Sequence, residues 1–179
     1  MMITNNDLIH TQPQKLVVGI SGASGVQIGI RLCQYLRSTP IETHLVLSEA
    51  AKQTVLQETN LSVEQVLALA DRSYDPLDIG APLASGSFQT IGMVIVPCSI
   101  KTLSAVANAY TNDLLARAAD VTLKEGRPLV LVVREAPLHR GHIRLMGLAA
   151  EAGAIIFPPV PAFYTQPKSV DDLIDNILH

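Results

Sequence analysis

Three glycines and two serines lie close together near the start of the chain, in a spacing that suits an anion. Gly19, Gly22 and Gly25 recur at every third residue, with Ser21 and Ser24 between them. Glycines let a phosphate approach the backbone closely, and serine hydroxyls add hydrogen-bond donors. The spacing is neither the dinucleotide fingerprint G-x-G-x-x-G nor a P-loop, since no Gly-Lys-Ser/Thr follows. The segment is predicted either to bind a phosphate or to be a tight turn without a ligand.

Two further segments place hydroxyl groups directly after runs of apolar residues. Residues 98–102, with the sequence CSIKT, follow the apolar run 93–96 and Pro97. Ser48 ends the run 42–48 in a similar way. A serine in such a position can cap the next helix, and it can also face a ligand. Both segments are therefore candidates for a ligand site or for simple helix caps.

The charged side chains and histidines give weaker signals. Arg117 and Lys124 are seven residues apart on a predicted helix, so they lie near one face. On position alone, two solvated cations are the simpler interpretation. His139 and His142 are three residues apart and could contact a metal, although the sequence indicates no third ligand. His44 lies within a predicted strand and is interpreted as structural.

The elements that position these residues alternate along the chain. Apolar runs predict strands at residues 16–18, 42–48, 93–96, 128–133 and 154–157. Capped or amphipathic segments predict helices over about residues 24–37, 48–57, 62–70, 103–109, 112–125, 139–151 and 169–178. Residues 71–90, with their prolines and glycines, are predicted to form a long loop.

Alternating apolar strands and helices indicate a doubly wound parallel sheet with helices on both faces. Ligands of such sheets bind beyond the carboxyl ends of the strands. The loops at that edge carry Ser24, Ser48, residues 99–102, Arg134, Glu135 and Tyr164.

Composition narrows the class of protein. The 179 residues suit one domain, and the 48% hydrophobic and 16% charged content suggests that some surface is buried between subunits. A net charge of −3 argues against a nucleic-acid-binding protein, and no apolar run approaches the ~20 residues of a membrane helix. The polar residues 1–14 are expected to be a flexible leader on a cytoplasmic protein. Cys33 and Cys98 lack a CxxC spacing and are expected to be buried thiols in a reducing compartment.

Several blocks of sequence together resemble the UbiX-type flavin prenyltransferases. The blocks are GISGASG at 19–25, ETHLVLSEAA at 42–51, ASGSFQT at 84–90, VPCSIKTLSA at 96–105, RAADVTLKEGRPLVLVVREAPLH at 117–139 and PAFYTQPKSVDDL at 161–173. They are long, and together they span nearly the whole chain from residue 15. The resemblance is therefore specific.

The resemblance implies an α/β fold of the Rossmann-like, flavodoxin type, with three α/β/α layers, a mainly parallel sheet and a single flavoprotein domain over residues 15–179. Members of the family bind FMN and join a dimethylallyl group from dimethylallyl phosphate to N5 and C6 of the reduced flavin, without a metal. The product, prenylated FMN, serves partner UbiD-type decarboxylases in ubiquinone biosynthesis or aromatic-acid metabolism. The family assembles as a dodecamer. The resemblance thus implies a homo-oligomeric, metal-independent prenyltransferase.

The resemblance also implies roles for individual residues. The expected FMN-binding residues are Gly22, Ala23, Ser24, Ser48, Ser99, Ile100, Lys101, Thr102 and Arg134. The expected ligands of dimethylallyl phosphate are Tyr164, Lys124 and Arg117. The expected catalytic residues are Ser24, Glu58 and Glu135, of which Ser24 would assist proton transfer at N5. Fixed cations would stabilise the charge that develops on the departing phosphate.

Two features depart from the family pattern. Ile28 stands where many members have tyrosine. The family's arginine for the substrate phosphate would fall one residue beyond His179, where the sequence ends.

Two alternative functions would use the same flavin loops. An FMN-dependent decarboxylase of the cysteine type carries a catalytic histidine soon after the first helix and a PASANT-like motif, where this chain has PCSIKT. A decarboxylase of the aromatic-acid type is a second form of this alternative. A non-catalytic FMN-binding protein would lack Glu58, Lys124 and Glu135, and all three are present. The prenyltransferase is therefore the favoured hypothesis.

Overall fold

The computed structural model describes residues 13–178, which contain six strands and seven α-helices. His179 and residues 1–12, most of the predicted leader, lie outside the described residues. The strands are β1 (Lys15–Ile20), β2 (Glu42–Leu47), β3 (Arg72–Tyr74), β4 (Gly92–Cys98), β5 (Leu129–Val133) and β6 (Ile155–Ile156). The helices are α1 (Val26–Leu36), α2 (Glu49–Glu58), α3 (Val63–Leu67), α4 (Ile100–Ala107), α5 (Leu114–Lys124), α6 (Arg140–Glu151) and α7 (Val170–Leu178). Short 3-10 turns occur at Pro82–Ala84 and Phe163–Thr165.

All six strands are parallel and form one sheet in the order β3-β2-β1-β4-β5-β6. Leu16 of β1 pairs with Thr43 of β2 on one side and with Gly92 of β4 on the other. From β1, the next two strands, β2 and β3, lie in order toward one edge of the sheet. The chain then crosses to the other side of β1, where β4, β5 and β6 lie in order toward the opposite edge. The loops after β1 and β4 diverge at this reversal and leave a crevice at the carboxyl edge of the sheet. The predicted flavodoxin-type fold with a parallel sheet is confirmed.

Helices cover both faces of the sheet, as the continuous apolar strands predict. Val18 and Ile20 of β1 pack on the face that carries α1, α2, α3 and α7. Val17 packs on the opposite face, with α4, α5 and α6. Helix α1 lies very close to β4, since a Cβ at Gly29 would be 2.2 Å from the carbonyl oxygen of Val96. Two apolar cores thus fix the strands from both sides.

The main difference from the sequence prediction lies in residues 71–90. This segment was expected to be a loop, yet it contains β3, which pairs with β2. The strand has three residues, mostly exposed, so no periodic apolar pattern marks it. Long-range contacts hold it instead. The Asp71 carboxylate accepts a hydrogen bond from the Thr43 amide at 2.7 Å, and the Tyr74 hydroxyl lies 2.8 Å from Nδ1 of His44.

His44 is a structural residue, as predicted. Its side chain is buried in β2, stacks on Tyr74 and meets the Phe88 ring edge-on at 5.0 Å. Burial lowers the pKa of the imidazole, although the Glu42 carboxylate, 3.2 Å from Nε2, acts in the opposite direction. The nearby ammonium of Lys15 adds to the lowering of the pKa. The ring is therefore held as a largely neutral part of the core.

The predicted helices are present, with changes at their ends. Helix α3 covers residues 63–67 rather than 62–70, and α4 begins at residue 100 rather than 103. The early start of α4 follows from its cap, because the Ser99 hydroxyl accepts a hydrogen bond from the Thr102 amide. None of the described helices is long and apolar enough to cross a membrane.

Both cysteines are free and buried, as expected. Burial raises the pKa of the Cys33 thiol to about 12 and that of the Cys98 thiol to about 12. Thiols held in the neutral form in this way are poor nucleophiles and poor metal ligands.

Candidate functional site

The glycine-rich segment forms the turn between β1 and α1, as predicted. Gly25 precedes α1 with a φ of +95°, in the left-handed region that favours glycine. Gly22 passes so close to α2 that a Cβ there would lie 2.4 Å from the Cβ of Ala50. Ser24 is exposed on this turn, whereas Ala23 is buried. The glycines are thus needed for the path of the backbone itself.

The other two hydroxyl-rich segments begin α4 and α2. Ser99 Oγ accepts a hydrogen bond from the Thr102 amide at 3.2 Å and lies 3.1 Å from the Thr102 hydroxyl. Ser48 Oγ accepts a hydrogen bond from the Ala51 amide at 3.1 Å. Both serines are helix caps. Each also borders the cavity described below, so capping does not exclude contact with a ligand.

Ser21 links the β1–α1 turn to the β4–α4 turn. Its hydroxyl donates to the carbonyl oxygen of Pro97 at 2.9 Å and accepts from the amide of Ser99 at 2.7 Å. Its own amide donates to the same Pro97 oxygen at 3.1 Å. The residue is only 1% exposed. Sequence reasoning noticed Ser21 but gave it no role, because the sequence does not show which residues of β4 it faces.

A cavity of about 180 Å³ lies between these turns, at the carboxyl edge of the sheet. Five residues that were predicted to bind FMN line it: Gly22, Ser48, Ser99, Lys101 and Thr102. Its apolar lining includes Pro76, Leu77, Ala105 and Ala116, and the carboxylates of Glu49 and Asp113 also border it. The cavity thus offers hydroxyl groups, a cation and apolar surface. A ligand with an anionic end and a flat apolar body suits such a lining.

Glu58, the last residue of α2, occupies the N-terminus of α1. Its Oε2 accepts hydrogen bonds from the amides of Gly25 at 2.8 Å and Val26 at 3.2 Å. A carboxylate in this position complements the positive end of the helix dipole. These two amides are therefore already bonded, and the start of α4 is better placed to receive an anion.

Arg134 and Glu135 follow the carboxyl end of β5, beside the β4–α4 turn. The Arg134 amide donates to the carbonyl oxygen of Cys98 at 3.1 Å, so its backbone is next to Ser99. Both side chains are exposed at this edge. Glu135 Oε1 accepts a hydrogen bond from the amide of Ala136 at 3.0 Å. The prediction that this pair lies at the strand end is confirmed.

Ile100 and Tyr164 are not among the residues that line the cavity. Ile100 packs against the core on the α4 side of the sheet. Tyr164 lies in the 3-10 turn Phe163–Thr165 after β6 and is 88% exposed. A phenol so exposed is free to meet a ligand or a second protein chain.

Arg117 and Lys124 lie along α5, which leads away from the cavity. The cap of this helix, Asp113, is part of the cavity wall. Lys124 is eleven residues beyond that cap, or about 16 Å at 1.5 Å per residue. Its ammonium pairs with Glu125 at 2.6 Å, and Arg117 pairs with Asp120 at 2.8 Å. Within one copy, the structure does not bring these two cations to the cavity.

Sequence reasoning missed several residues of the cavity wall. Asp113 could have been found, because an aspartate before the apolar helix 114–124 is a capping signal. Pro76 and Leu77 gave no signal, since they belong to an irregular loop. The loop is fixed by contact with α5, where the Leu114 amide donates to the Pro76 carbonyl oxygen at 2.8 Å.

The histidine pair begins α6. His139 Nδ1 accepts a hydrogen bond from the Gly141 amide at 3.0 Å, and the ring centroids of His139 and His142 are 3.6 Å apart. Within residues 13–178, no group of three or more His, Cys, Asp or Glu side chains is arranged to hold a metal ion. His139 caps α6, and the His142 ring lies tilted by 33° against it.

Comparison with known proteins gives close similarity over almost the whole chain. The Flavoprotein family matches residues 5–177. The Flavin prenyltransferase UbiX of Escherichia coli (strain K12) is 62% identical to this chain over 167 residues, which are 93% of this chain and 88% of that protein.

Two solved structures have nearly the same fold. The crystal structure of AnUbiX in complex with FMN and dimethylallyl pyrophosphate gives a TM-score of 0.92 at 47% identity, over 93% of this chain and 89% of that chain. The dodecameric FMN-dependent UbiX-like decarboxylase from Escherichia coli O157:H7 gives a TM-score of 0.91 at 48% identity, over 92% of this chain and 91% of that chain.

Proposed function

We propose that this chain makes prenylated FMN, because it belongs to the UbiX-type flavin prenyltransferases within the Flavoprotein family. The reaction joins the dimethylallyl group of dimethylallyl phosphate to N5 and C6 of reduced FMN and releases phosphate. One structural observation carries the proposal: five of the expected FMN-binding residues line a single cavity at the strand reversal. FMN, when bound, supplies the nucleophilic N5 and C6 positions.

The residues present fit the phosphate end of FMN. Ser99 and Thr102 place two hydroxyls at the start of α4, and Lys101 adds a cation. Free amides and the helix dipole at such a start favour an anion. The start of α1 is the less suitable place, because Glu58 already holds its amides. We therefore assign the phosphate end to α4 and the ring side to the β1–α1 turn with Arg134.

One copy supplies only part of the site. Pockets for small ligands are commonly ~300–1,000 Å³, whereas the cavity of one copy is about 180 Å³. Lys124 is also too far along α5 to reach it. The Arg117 side chain is bonded to the Ala84 carbonyl oxygen and the Asp120 carboxylate and does not line it. We therefore propose that these two cations act in the site of a neighbouring copy of the same chain. The dodecameric structure of a 48% identical protein supports an assembly of this kind.

The proposed role of Arg117, Lys124 and Tyr164 is to bind the phosphate of the prenyl substrate. Breaking the bond between the allylic carbon and the phosphate oxygen puts negative charge on the departing phosphate. Cations and a hydroxyl that are already in place stabilise this charge without reorganisation. The dry, apolar side of the cavity limits the access of water to the carbon.

Glu58, Glu135 and Ser24 are proposed to move protons. Glu58 holds the amides of Gly25 and Val26, so its carboxylate lies directly behind the turn that exposes Ser24. Ser24 can pass a proton between this turn and a ligand. Glu135 is exposed beside Arg134, at the edge where the leaving phosphate would need a proton.

A decarboxylase is the second candidate, since one of the two similar structures is described as a UbiX-like decarboxylase. A cysteine decarboxylase needs a catalytic histidine in its flavin site. The histidine nearest the first helix, His44, is buried in β2 and bonded to Tyr74, so it is not free for that task. The prenyltransferase remains the better-supported function.

We further propose that the product is delivered to a UbiD-type decarboxylase, in quinone or aromatic-acid metabolism. Prenylated FMN acts as a cofactor of another enzyme, so a prenyltransferase that makes it needs an enzyme to receive it. The free, buried thiols of Cys33 and Cys98 support a reducing compartment such as the cytoplasm.

One assay separates the candidates. The purified protein is mixed anaerobically with reduced FMN and either dimethylallyl phosphate or dimethylallyl diphosphate. We expect the flavin to gain the mass of one dimethylallyl unit with the monophosphate. No gain in mass with either donor, despite FMN binding, would contradict the proposal and favour a non-catalytic flavoprotein. Release of carbon dioxide from a cysteine-ended peptide or an aromatic acid would favour the decarboxylase.

A further inference from the structure

The structure assigns to Ser21 the role of a positioning residue, and we propose that it sets the spacing between the two turns that hold FMN. The inference rests on the proposed function, because it takes FMN to be the ligand of the cavity. It concerns a residue that lies behind the cavity wall and does not line it.

Regular pairing between β1 and β4 stops just before the site. The register runs from Leu16–Gly92 to Gly19–Ile95, and the pairing of β4 with β5 shifts between Ile95 and Cys98. Residues 96–98 of β4 therefore leave the ladder with β1 while they are still buried. Buried backbone groups need partners, and those of this stretch cannot all find them in the sheet.

The Ser21 side chain supplies two of these partners at once. Its hydroxyl donates to the carbonyl oxygen of Pro97 and accepts from the amide of Ser99, at 2.9 and 2.7 Å. A hydroxyl can do both, whereas a methyl group can do neither. Ser21 is 1% exposed, so water cannot easily replace it.

Each end of this link carries residues of the site. On one side Gly22, the next residue, is part of the cavity wall. On the other side Ser99 holds Thr102 through its own hydroxyl, and both line the cavity. Together with the bond from the Ser21 amide to Pro97, the Ser21 hydroxyl therefore fixes how far the β1–α1 turn stands from the start of α4. This distance decides whether one ligand can contact both.

A hydroxyl with a purely structural role should affect the stability of the protein but not FMN binding, whereas a hydroxyl that positions the two turns should affect FMN binding as well. Thr122 provides the matched control, because it is also buried (3% exposed) and its hydroxyl donates to the Ala118 carbonyl oxygen at 2.7 Å. It lies on α5 and is not part of the cavity wall. Ser21→Ala and Thr122→Val each remove one buried hydroxyl, but only the first removes hydrogen bonds between the two turns. The bond from the Ser21 amide to the Pro97 oxygen stays in place.

The test measures the dissociation constant of FMN by flavin fluorescence, together with the thermal midpoint of the protein without FMN. Loss of a buried hydrogen-bond partner should weaken FMN binding roughly tenfold or more in Ser21→Ala. The dissociation constant of FMN in Thr122→Val should be within about twofold of the wild-type value, even if its thermal midpoint falls as far as that of Ser21→Ala. Ser21→Thr keeps the hydroxyl and should restore most of the affinity.

Two results would overturn the inference. The first is a wild-type affinity for FMN in Ser21→Ala. The second is a loss of affinity in Thr122→Val as large as that in Ser21→Ala, at an equal loss of thermal midpoint. Wild-type protein that bound no FMN would instead refute the proposed function, and this inference with it.

If Ser21→Ala does not fold, hydrogen exchange of the wild-type protein tests the inference instead. In wild-type protein without FMN, a peptide that covers residues 96–103 should contain a slowly exchanging amide at Ser99. Exchange at the rate of an exposed turn would show that the link is not formed before FMN binds, and would overturn the inference.

Discussion

Ser99 and Ser48 show how single side chains of this site serve two purposes. Each caps a helix and each borders the cavity. A hydroxyl has one hydrogen to donate and two lone pairs to accept with, so a cap that accepts from one amide keeps the capacity to bind a ligand. Replacement of either serine by alanine would therefore weaken a helix start and a ligand contact together, and such variants cannot separate the two effects.

Lys124 allows a cleaner test. We expect Lys124→Ala to lower kcat/KM for dimethylallyl phosphate roughly 100-fold, because a fixed cation for the leaving phosphate is lost. FMN binding should change little, since Lys124 is proposed to contact the phosphate of the prenyl substrate and not FMN. Steady-state kinetics and flavin fluorescence measure the two quantities. Equal losses of both would show that its proposed role is wrong.

Glu125→Gln is the matched control for Lys124. It removes the present ion-pair partner of Lys124 at 2.6 Å but keeps the ammonium. Because the pair is half exposed, its contribution to stability is small. The control should retain activity with dimethylallyl phosphate.

The sequence predicts the role of a single residue well when the contacts that produce the role come from nearby residues in the chain. Ser48 and Ser99 were identifiable as caps because a cap is recognised from the residues that follow it. Pro76 and Leu77 were not identifiable as cavity wall, because the contact that places them comes from α5, almost forty residues later. The partners of Ser21 were hidden for the same reason.

At the scale of elements, the site depends on how closely the β1–α1 turn packs against α2. Gly22→Ala would place a Cβ 2.4 Å from that of Ala50, so the turn and the helix would have to separate. Overpacking of this kind costs about 1–3 kcal/mol of the free energy of unfolding. We also expect weaker FMN binding, since Gly22 and Ser48 line the same cavity. Chemical denaturation and flavin titration measure both effects.

Gly147→Ala is the control for that change. Gly147 lies in α6, and a Cβ there would meet no atom within 4 Å. Alanine favours a helix interior over glycine by about 0.8–1 kcal/mol. The control should therefore be neutral or stabilising. A neutral Gly22→Ala would contradict the close packing of the turn.

Elements with strong local signals were predicted well, and β3 was not. The apolar runs of β1, β4 and β5 are buried on both faces, so the sequence itself marks them. Strand β3 has only exposed or half-buried residues and depends on its contacts with β2. Its existence is a tertiary effect that no short window of sequence contains.

At the scale of the whole molecule, His44 makes stability depend on pH. Burial lowers the pKa of its imidazole in the folded state, with Glu42 opposing and Lys15 reinforcing the shift. The unfolded chain therefore binds the proton more readily, so folding stability falls as the pH drops below the ordinary histidine pKa of ~6.5. Thermal midpoints between about pH 7 and pH 5 should fall less steeply in His44→Gln than in wild type. Parallel curves would contradict this account.

The proposed sharing of each site between two copies predicts complementation between inactive variants. Ser24→Ala removes a proposed proton-transferring hydroxyl from the site of its own copy, and Lys124→Ala removes a proposed cation from the site of a neighbour. If the two are refolded together in equal amounts, about a quarter of the sites in a symmetric assembly would carry both intact residues. We expect activity to return to that fraction of wild type, measured as prenylated FMN by mass. A mixture as inactive as its parents would show that each site is built from one copy.

The two outermost strands of the sheet limit the ways in which copies of this chain can associate. β3 contributes three residues and β6 only two, and both lie at the margins of the sheet. A margin this short presents few unpaired amides and carbonyls to another polypeptide, which is a known safeguard against fibrous aggregation. Continuous hydrogen-bonded ribbons running from subunit to subunit are thus disfavoured. Quaternary structure in this protein would be a matter of complementary side-chain surfaces, and it can end at a closed particle instead of growing without limit.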